Sequence, residues 1–258
     1  MSDVAQPITY PPAITVEDFA RNLDAVQARI ARAAARAGRD PRSVRLLPVS
    51  KTVAEDRLRN AVAAGYHRLG ENKVQEAKRK SENLADLDVS WAVVGHLQTN
   101  KARDVAAFAA EFQALDSLRL AEALDRRLQA AGRSLDVFVQ VNTSGEESKY
   151  GLSPDEVPAF LAALPRFETL RVQGLMTLAL FSSDLERVRA CFVRLRTLRD
   201  RARDTDPDLI GPGELSMGMS GDFEVAIDEG ATCVRVGQAL FGSRAPQYDE
   251  AHYWPSGT

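Results

Sequence analysis

Eight short apolar segments, beginning near residues 46, 68, 91, 112, 137, 171, 214 and 233, alternate with stretches of helical periodicity. Strands buried on both faces read as near-continuous apolar runs, so the segments suit a parallel sheet covered by helices. Eight β-α units in a chain of 258 residues predict a single closed (β/α)8 TIM barrel. An open doubly wound sheet would also alternate, but no G-x-G-x-x-G follows the first strand. The uneven spacing of the segments does not fit a solenoid.

An extra helix precedes the barrel. Val16, Phe19, Leu23, Val26 and Ile30 fall on one helical face, opening at Thr15 and closing at Gly38. Residues 1–12, polar and carrying Pro7, Pro11 and Pro12, are expected to be a disordered N-terminal tail. The barrel is expected over 13–244 and a C-terminal tail over 245–258.

Charge and composition exclude several classes. The formal net charge is −3, from 36 acidic and 33 basic residues, and no basic cluster is interleaved with aromatics. Nothing here calls for nucleic acid. No apolar run approaches the roughly 20 residues that span a bilayer, and the N-terminus lacks the charged-then-apolar order of a signal peptide. Cys191 and Cys233 are isolated and lack metal-ligand spacing, which suits reduced thiols. A cytoplasmic protein with no membrane partner is expected.

The run Leu46-Leu47-Pro48-Val49-Ser50-Lys51-Thr52 carries the sharpest chemical signal. It is a strand that ends on a lysine. At the carboxyl end of a barrel strand, that lysine faces the mouth where active sites lie. Desolvation there lowers a lysine's pKa and frees the amine that attacks aldehydes. The bland alternative is a solvated lysine snorkelling over apolar surface. Thr52-Val53-Ala54-Glu55 has the T-x-x-E form of a capping box, so a helix is expected to start at once.

The other strand ends present Asn72, His96, Asp116, Asn142, Met176, Ser216 and Gly237. Some of these could simply cap the next helix. Leu215–Asp222 and Val234–Gly242 each run from strand to small residues to a helix start. Such turns aim backbone N–H groups at an anion, and barrels often hold phosphate after strands seven and eight. A lysine beside two phosphate turns suggests a phosphorylated aldehyde, pyridoxal 5′-phosphate (PLP). Arg235 lies inside the eighth strand and needs a partner once buried. A PLP ring nitrogen is one candidate; a strand-end carboxylate such as Asp116 or Glu214 is the other.

Leu47–Thr52, Gly70–Asn72, Gly95–Lys101, Gln140–Asn142, Gly174–Thr177, Leu215–Asp222 and Val234–Gly242 together resemble the pyridoxal phosphate homeostasis protein family. That family is similar to the barrel domain of alanine racemase standing alone. The resemblance runs from about residue 15 to 244. It implies that Lys51 holds PLP as a Schiff base. It implies further that Asn72 and Met176 line the pocket, that Ser216, Met217, Gly237 and Gln238 belong to the cofactor-binding set around the phosphate, that Arg235 faces the ring nitrogen and that His96 approaches the ring. Gln238 stands where the family tends to have a small hydroxyl residue, and Lys73 replaces an aromatic.

The resemblance implies a PLP-binding role in vitamin B6 and amino-acid homeostasis, without established turnover. Apo-forms of PLP-dependent enzymes are the recipients such a carrier implies, although no docking surface is legible on the outer helices. A racemase of minimal one-domain design is the alternative. It needs a second proton donor opposite the lysine, and no tyrosine lies at a strand end; Tyr150 falls in a loop. A PLP-free barrel enzyme acting on a sugar phosphate is the third reading. About 16 residues, Ser243–Thr258, follow the eighth-strand turn that ends at Gly242, so the racemase-type second domain and its dimer contact are not expected, which favours a monomer.

Overall fold

The computed structural model describes residues 9–243. Eight parallel strands form one sheet: β1 (Arg45–Pro48), β2 (Arg68–Glu71), β3 (Ser90–Val93), β4 (Glu111–Leu115), β5 (Leu135–Gln140), β6 (Leu170–Met176), β7 (Glu214–Ser216) and β8 (Cys233–Val236). Their order runs from β1 through β8, β7, β6, β5, β4 and β3 to β2. The sheet closes where Val49 bridges Gly70 and the Ser50 N–H donates to Gly70 O at 2.9 Å. The result is an α/β barrel, as the apolar alternation predicts.

The helices are α1 (Val16–Arg36), α2 (Glu55–Ala63), α3 (Val74–Asn83), α4 (Ala102–Phe108), α5 (Leu118–Ala131), α6 (Val157–Ala163), α7 (Leu185–Thr205), α8 (Phe223–Asp228) and α9 (Gln238–Phe241). They coat the outside of the sheet, and one continuous apolar core joins strand and helix residues. Among the described residues no helix is long and apolar enough to cross a membrane.

The extra helix α1 begins as expected. Thr15 caps it, accepting from the Asp18 N–H while Asp18 accepts from the Thr15 N–H. It packs against α8, α9 and α2. Phe19 meets Tyr66 and Phe241 edge-on, each at 5.8 Å between ring centres. Arg29 and Arg36 pair with Glu224 and Asp228 of α8.

The tail boundary needs correction. Residues 1–8 and 244–258 lie outside the described residues, so the expected disorder of 1–12 bears only on 9–12. There Tyr10 N–H donates to Ser243 Oγ and Ser243 N–H donates to Tyr10 O, both at 2.8 Å. Residues 9–12 are therefore tied down against the end of α9.

The capping box at Thr52 also needs correction. Helix α2 starts at Glu55 behind Ala54, with no side-chain cap. Glu55 accepts from Arg79 and Asn83 instead. Thr52 itself has φ +66° and sits in a tight turn in which Val53 N–H donates to Ser50 O at 3.0 Å.

Candidate functional site

Lys51 follows the last bridge of β1, at the carboxyl end of the barrel, and is half-buried. With Thr52, Val53, Arg57, Gly237 and Gln238 it lines a cleft of about 180 Å³. The strand-end lysine and the turn after β8 thus share one recess. A Cβ placed on Gly237 would lie 3.2 Å from Val49 O, so glycine lets the β8 turn pack closely on the end of β1. The Gly237 N–H donates to Ser220 Oγ at 3.3 Å, which ties the β8 turn to the β7 loop.

Below the cleft a polar chain threads the barrel interior. Arg45 of β1 donates to Glu111 of β4 at 2.8 Å and to Glu214 of β7 at 3.2 Å. Strands β1 and β4 are not neighbours, so this contact crosses the interior. Gln113 Nε2 donates to Glu111 at 2.5 Å, and Ser216 Oγ donates to Gln113 Oε1 at 2.8 Å. Arg235 then donates to Ser216 Oγ at 2.6 Å and to Thr177 O at 2.7 Å.

Arg235 is therefore buried as expected, but neither Asp116 nor Glu214 is its partner. Glu214 is taken by Arg45, and Asp116 by His96. Burial pulls the Arg235 guanidinium below its ordinary pKa, against the attraction of nearby Cys233, Asp222 and Glu111. Ser216 is fully buried, and its hydroxyl both accepts from Arg235 and donates to Gln113. Met176 and Met217 are also fully buried. Met176 closes β6 beside Ser216, and the Met217 N–H donates to Cys233 O at 3.0 Å.

His96 sits two strands round the rim, after β3. Its Nδ1 lies 3.3 Å from Asp116 Oδ2, and its ring stacks on Tyr150 at 3.8 Å with 7° between planes. Burial raises the Asp116 carboxyl above its ordinary pKa, against the pull of His96. The loop that carries Tyr150 is pinned by Asn142, which accepts from Ser144 and Gly145 and donates to Glu146 O. Tyr150 is thus brought to the mouth, where the sequence showed no tyrosine. Asn72 is half-buried after β2, and its carbonyl is so close to Gly95 that a Cβ there would lie 2.1 Å from Asn72 O.

The sequence reading missed the groups beneath Lys51. Lys80 and Glu71 are fully buried and paired at 2.7 Å. The available signal was the position of Lys80 on the same face of α3 as Val74 and Ala77, both buried.

A parallel barrel with a half-buried lysine, a glycine turn and a buried arginine gathered at its carboxyl mouth is the class of cofactor barrel typified by the alanine racemase N-terminal domain. The family model described as "Alanine racemase, N-terminal domain" matches residues 21–245. The chain is 44% identical over 226 residues to the pyridoxal phosphate homeostasis protein of Pseudomonas aeruginosa, covering 88% of this chain and 96% of that one. It is 40% identical over 222 residues to the homologue of the same name from Aquifex aeolicus, covering 86% and 96%. The chain belongs to the pyridoxal phosphate homeostasis protein family, within the alanine racemase N-terminal domain class. The structure of PipY from Synechococcus elongatus with PLP bound superposes with TM-score 0.77 at 36% identity, over 87% of this chain and all of that one. An alanine racemase from Clostridium difficile shares the fold at TM-score 0.70 and 16% identity, over 95% of this chain and 62% of that one.

Proposed function

We propose that this chain binds PLP as a Schiff base on Lys51 and serves PLP and amino-acid homeostasis without turnover of its own. The observation that carries the reading is the shared cleft: Lys51 and the Gly237–Gln238 turn line the same recess. PLP supplies an aldehyde and an electron-withdrawing ring. The Lys51 amine attacks the aldehyde carbon, and the carbonyl oxygen leaves as water. The residues present fit such a group. The Gly237–Gln238 turn lines the cleft beside Lys51 and suits an anion at backbone N–H groups, and Gln238 contributes through its backbone. Arg235 is a buried cation whose two hydrogen-bond partners are neutral oxygens, so it suits a ring nitrogen as a further acceptor. Ser216 and Met217 sit under the phosphate turn, and the Ser216 hydroxyl acts by orienting Arg235. Asn72 and Met176 stand at the ends of β2 and β6, outside the lining of the Lys51 cleft, and in this reading meet PLP from there, with His96 on the β3 side. The names of the relatives and the PLP-bound PipY support the same ligand.

Apo-forms of PLP-dependent enzymes are the recipients in this reading. The protein acts as a monomer in the cytoplasm, consistent with two buried free thiols. Borohydride reduction of the PLP-treated protein followed by peptide mass analysis tests the core claim. A pyridoxyl group on Lys51 is expected; an unmodified Lys51 in protein that remains colourless with added PLP overturns it.

A racemase reading has one observation in its favour. The Tyr150 phenol, stacked on His96, lies at the mouth, where a second proton donor would be needed. Sustained D-alanine formation from L-alanine by purified protein would establish it, and its absence would leave the carrier reading.

A further inference from the structure

Both neighbours of Lys51 are anchored to one buried cluster. Ser50 gives its hydroxyl to Glu71 Oε1 at 2.7 Å, and its carbonyl accepts from Lys80 Nζ at 2.9 Å. Thr52 gives its backbone N–H to Glu76 Oε1 at 2.9 Å. Lys80 Nζ joins the two carboxylates, at 2.7 Å to Glu71 and 2.8 Å to Glu76. An ammonium has three donors, and all three are spent here, on Ser50 O, Glu71 and Glu76. Lys80 is a saturated node between α3 and the turn that carries Lys51.

That turn is strained. Thr52, at φ +66°, is the one non-glycine with positive φ among the described residues. L residues with branched side chains avoid that region, and it persists only where surrounding structure imposes it. The cluster is also an expensive way to attach a helix to a strand. Desolvation of a buried ion pair commonly cancels its attraction, and an apolar pair of equal volume would stabilise the fold as well. An apolar pair could not bond to the backbone on either side of Lys51.

We infer that Lys80, with Glu71 and Glu76, is a positioning device that holds the Ser50–Thr52 turn so that Lys51 is delivered to the cleft. The inference rests on the reading of Lys51 as the PLP-bonding lysine. It treats Lys80 as a residue acting through Lys51, not as one that touches the ligand.

The test combines Lys80→Met with Thr52→Gly, since glycine adopts the left-handed turn without help. PLP is titrated by visible absorbance, bound PLP is fixed with borohydride, and apo-protein melting is followed in parallel. Lys80→Met should weaken covalent PLP binding by about tenfold, the scale of one left-handed residue's strain. Adding Thr52→Gly should return binding to within about threefold of wild type, while the melting temperature stays near that of Lys80→Met. A merely structural Lys80 would make binding follow melting in both variants. Glu76→Gln, at a side chain 19% exposed, keeps the Lys80–Glu71 pair and serves if Lys80→Met does not fold. It should weaken covalent binding by about threefold through the loosened Thr52 N–H. Wild-type affinity in Lys80→Met or Glu76→Gln, with Lys51 labelled in the wild type, overturns the positioning role alone. No label on wild-type Lys51 overturns the PLP reading and this inference with it.

Discussion

Replacing Arg235 by methionine should stabilise the apo-protein while weakening its grip on PLP. Arg235 is 4% exposed and donates to two neutral oxygens, Ser216 Oγ and Thr177 O. Burial lowers its pKa, so the folded protein holds this cation less favourably than water does. Taking an ion out of water costs several kcal/mol. Two hydrogen bonds to a charged group return about 1.5–3 kcal/mol each. Methionine adds about 2 kcal/mol of apolar burial, and the Thr177 carbonyl left without this donor costs about 1–2 kcal/mol. The balance favours Arg235→Met by about 1–2 kcal/mol, within the range seen when buried ions are replaced by apolar groups. Urea unfolding of apo-protein at neutral pH measures this, provided the m-value is unchanged. With Arg235 at the ring nitrogen, as proposed above, its loss should weaken PLP binding about tenfold, the worth of one charge-assisted bond. An apo-protein destabilised by more than about 2 kcal/mol would refute the argument, since Arg235 would then be a net structural contributor. Unaltered PLP affinity would refute its placement at the ring.

Three further outcomes follow from the same geometry. Lys51→Ala should abolish the visible PLP band yet retain PLP in equilibrium dialysis, because the turn after β8 is intact; equal loss of both would contradict that division. Asp116→Asn tests the burial of the Asp116 carboxyl, whose pKa is raised. A raised carboxyl pKa contributes stability that is present below about pH 4 and lost as pH rises through the folded value. Asp116→Asn should therefore match the wild type near pH 4 and exceed it increasingly toward pH 7 in urea unfolding; a variant that loses ground as pH rises would contradict the sign. Gly95→Ala forces a Cβ to 2.1 Å from the Asn72 carbonyl, a backbone atom with nowhere to retreat. It should cost roughly 2–3 kcal/mol in the same assay, and a cost under about 0.5 kcal/mol would show that the β2 and β3 ends can separate freely.

The strands were legible because burial on both faces leaves little but apolar residues; the Leu46–Ser50 run and observed β1 differ by a residue or two at each end. The start of α1 at Thr15 was legible for a related reason, since the cap that fixes it closes within four residues. The box at Thr52 failed although its spacing is identical. There the backbone N–H is claimed by Glu76 and the turn by Lys80, residues 24 and 30 positions away. Local pattern cannot report such a competitor. Arg235 was legible as a buried cation but its partners were not, because Ser216 is fixed by Gln113 across the barrel, 103 residues distant in sequence. From sequence alone Tyr150 is a plain loop residue; only the fold of the Asn142-pinned loop brings its ring onto His96.

These long-range contacts share a location, and that location separates stability from function. Barrel interiors are usually filled by layers of branched apolar side chains. Here the smaller apolar cluster comprises Leu47, Ala92, Val94 and Cys233, while the large core draws on strand and helix residues alike. Much of the interior is occupied by the chain from Arg45 through Glu111, Gln113 and Ser216 to Arg235. Each hydrogen bond contributes only about 1 kcal/mol net, yet a buried network fixes the orientation of its bonded members, although Arg45 Nη1 finds no partner in it. The apolar core can therefore supply most of the folding free energy. The polar chain inside the barrel sets the direction of Arg235 through Ser216, and the Lys80 cluster holds the Lys51 turn from α3, outside the sheet. A barrel filled with valine and leucine would gain stability and lose the constraint on Arg235.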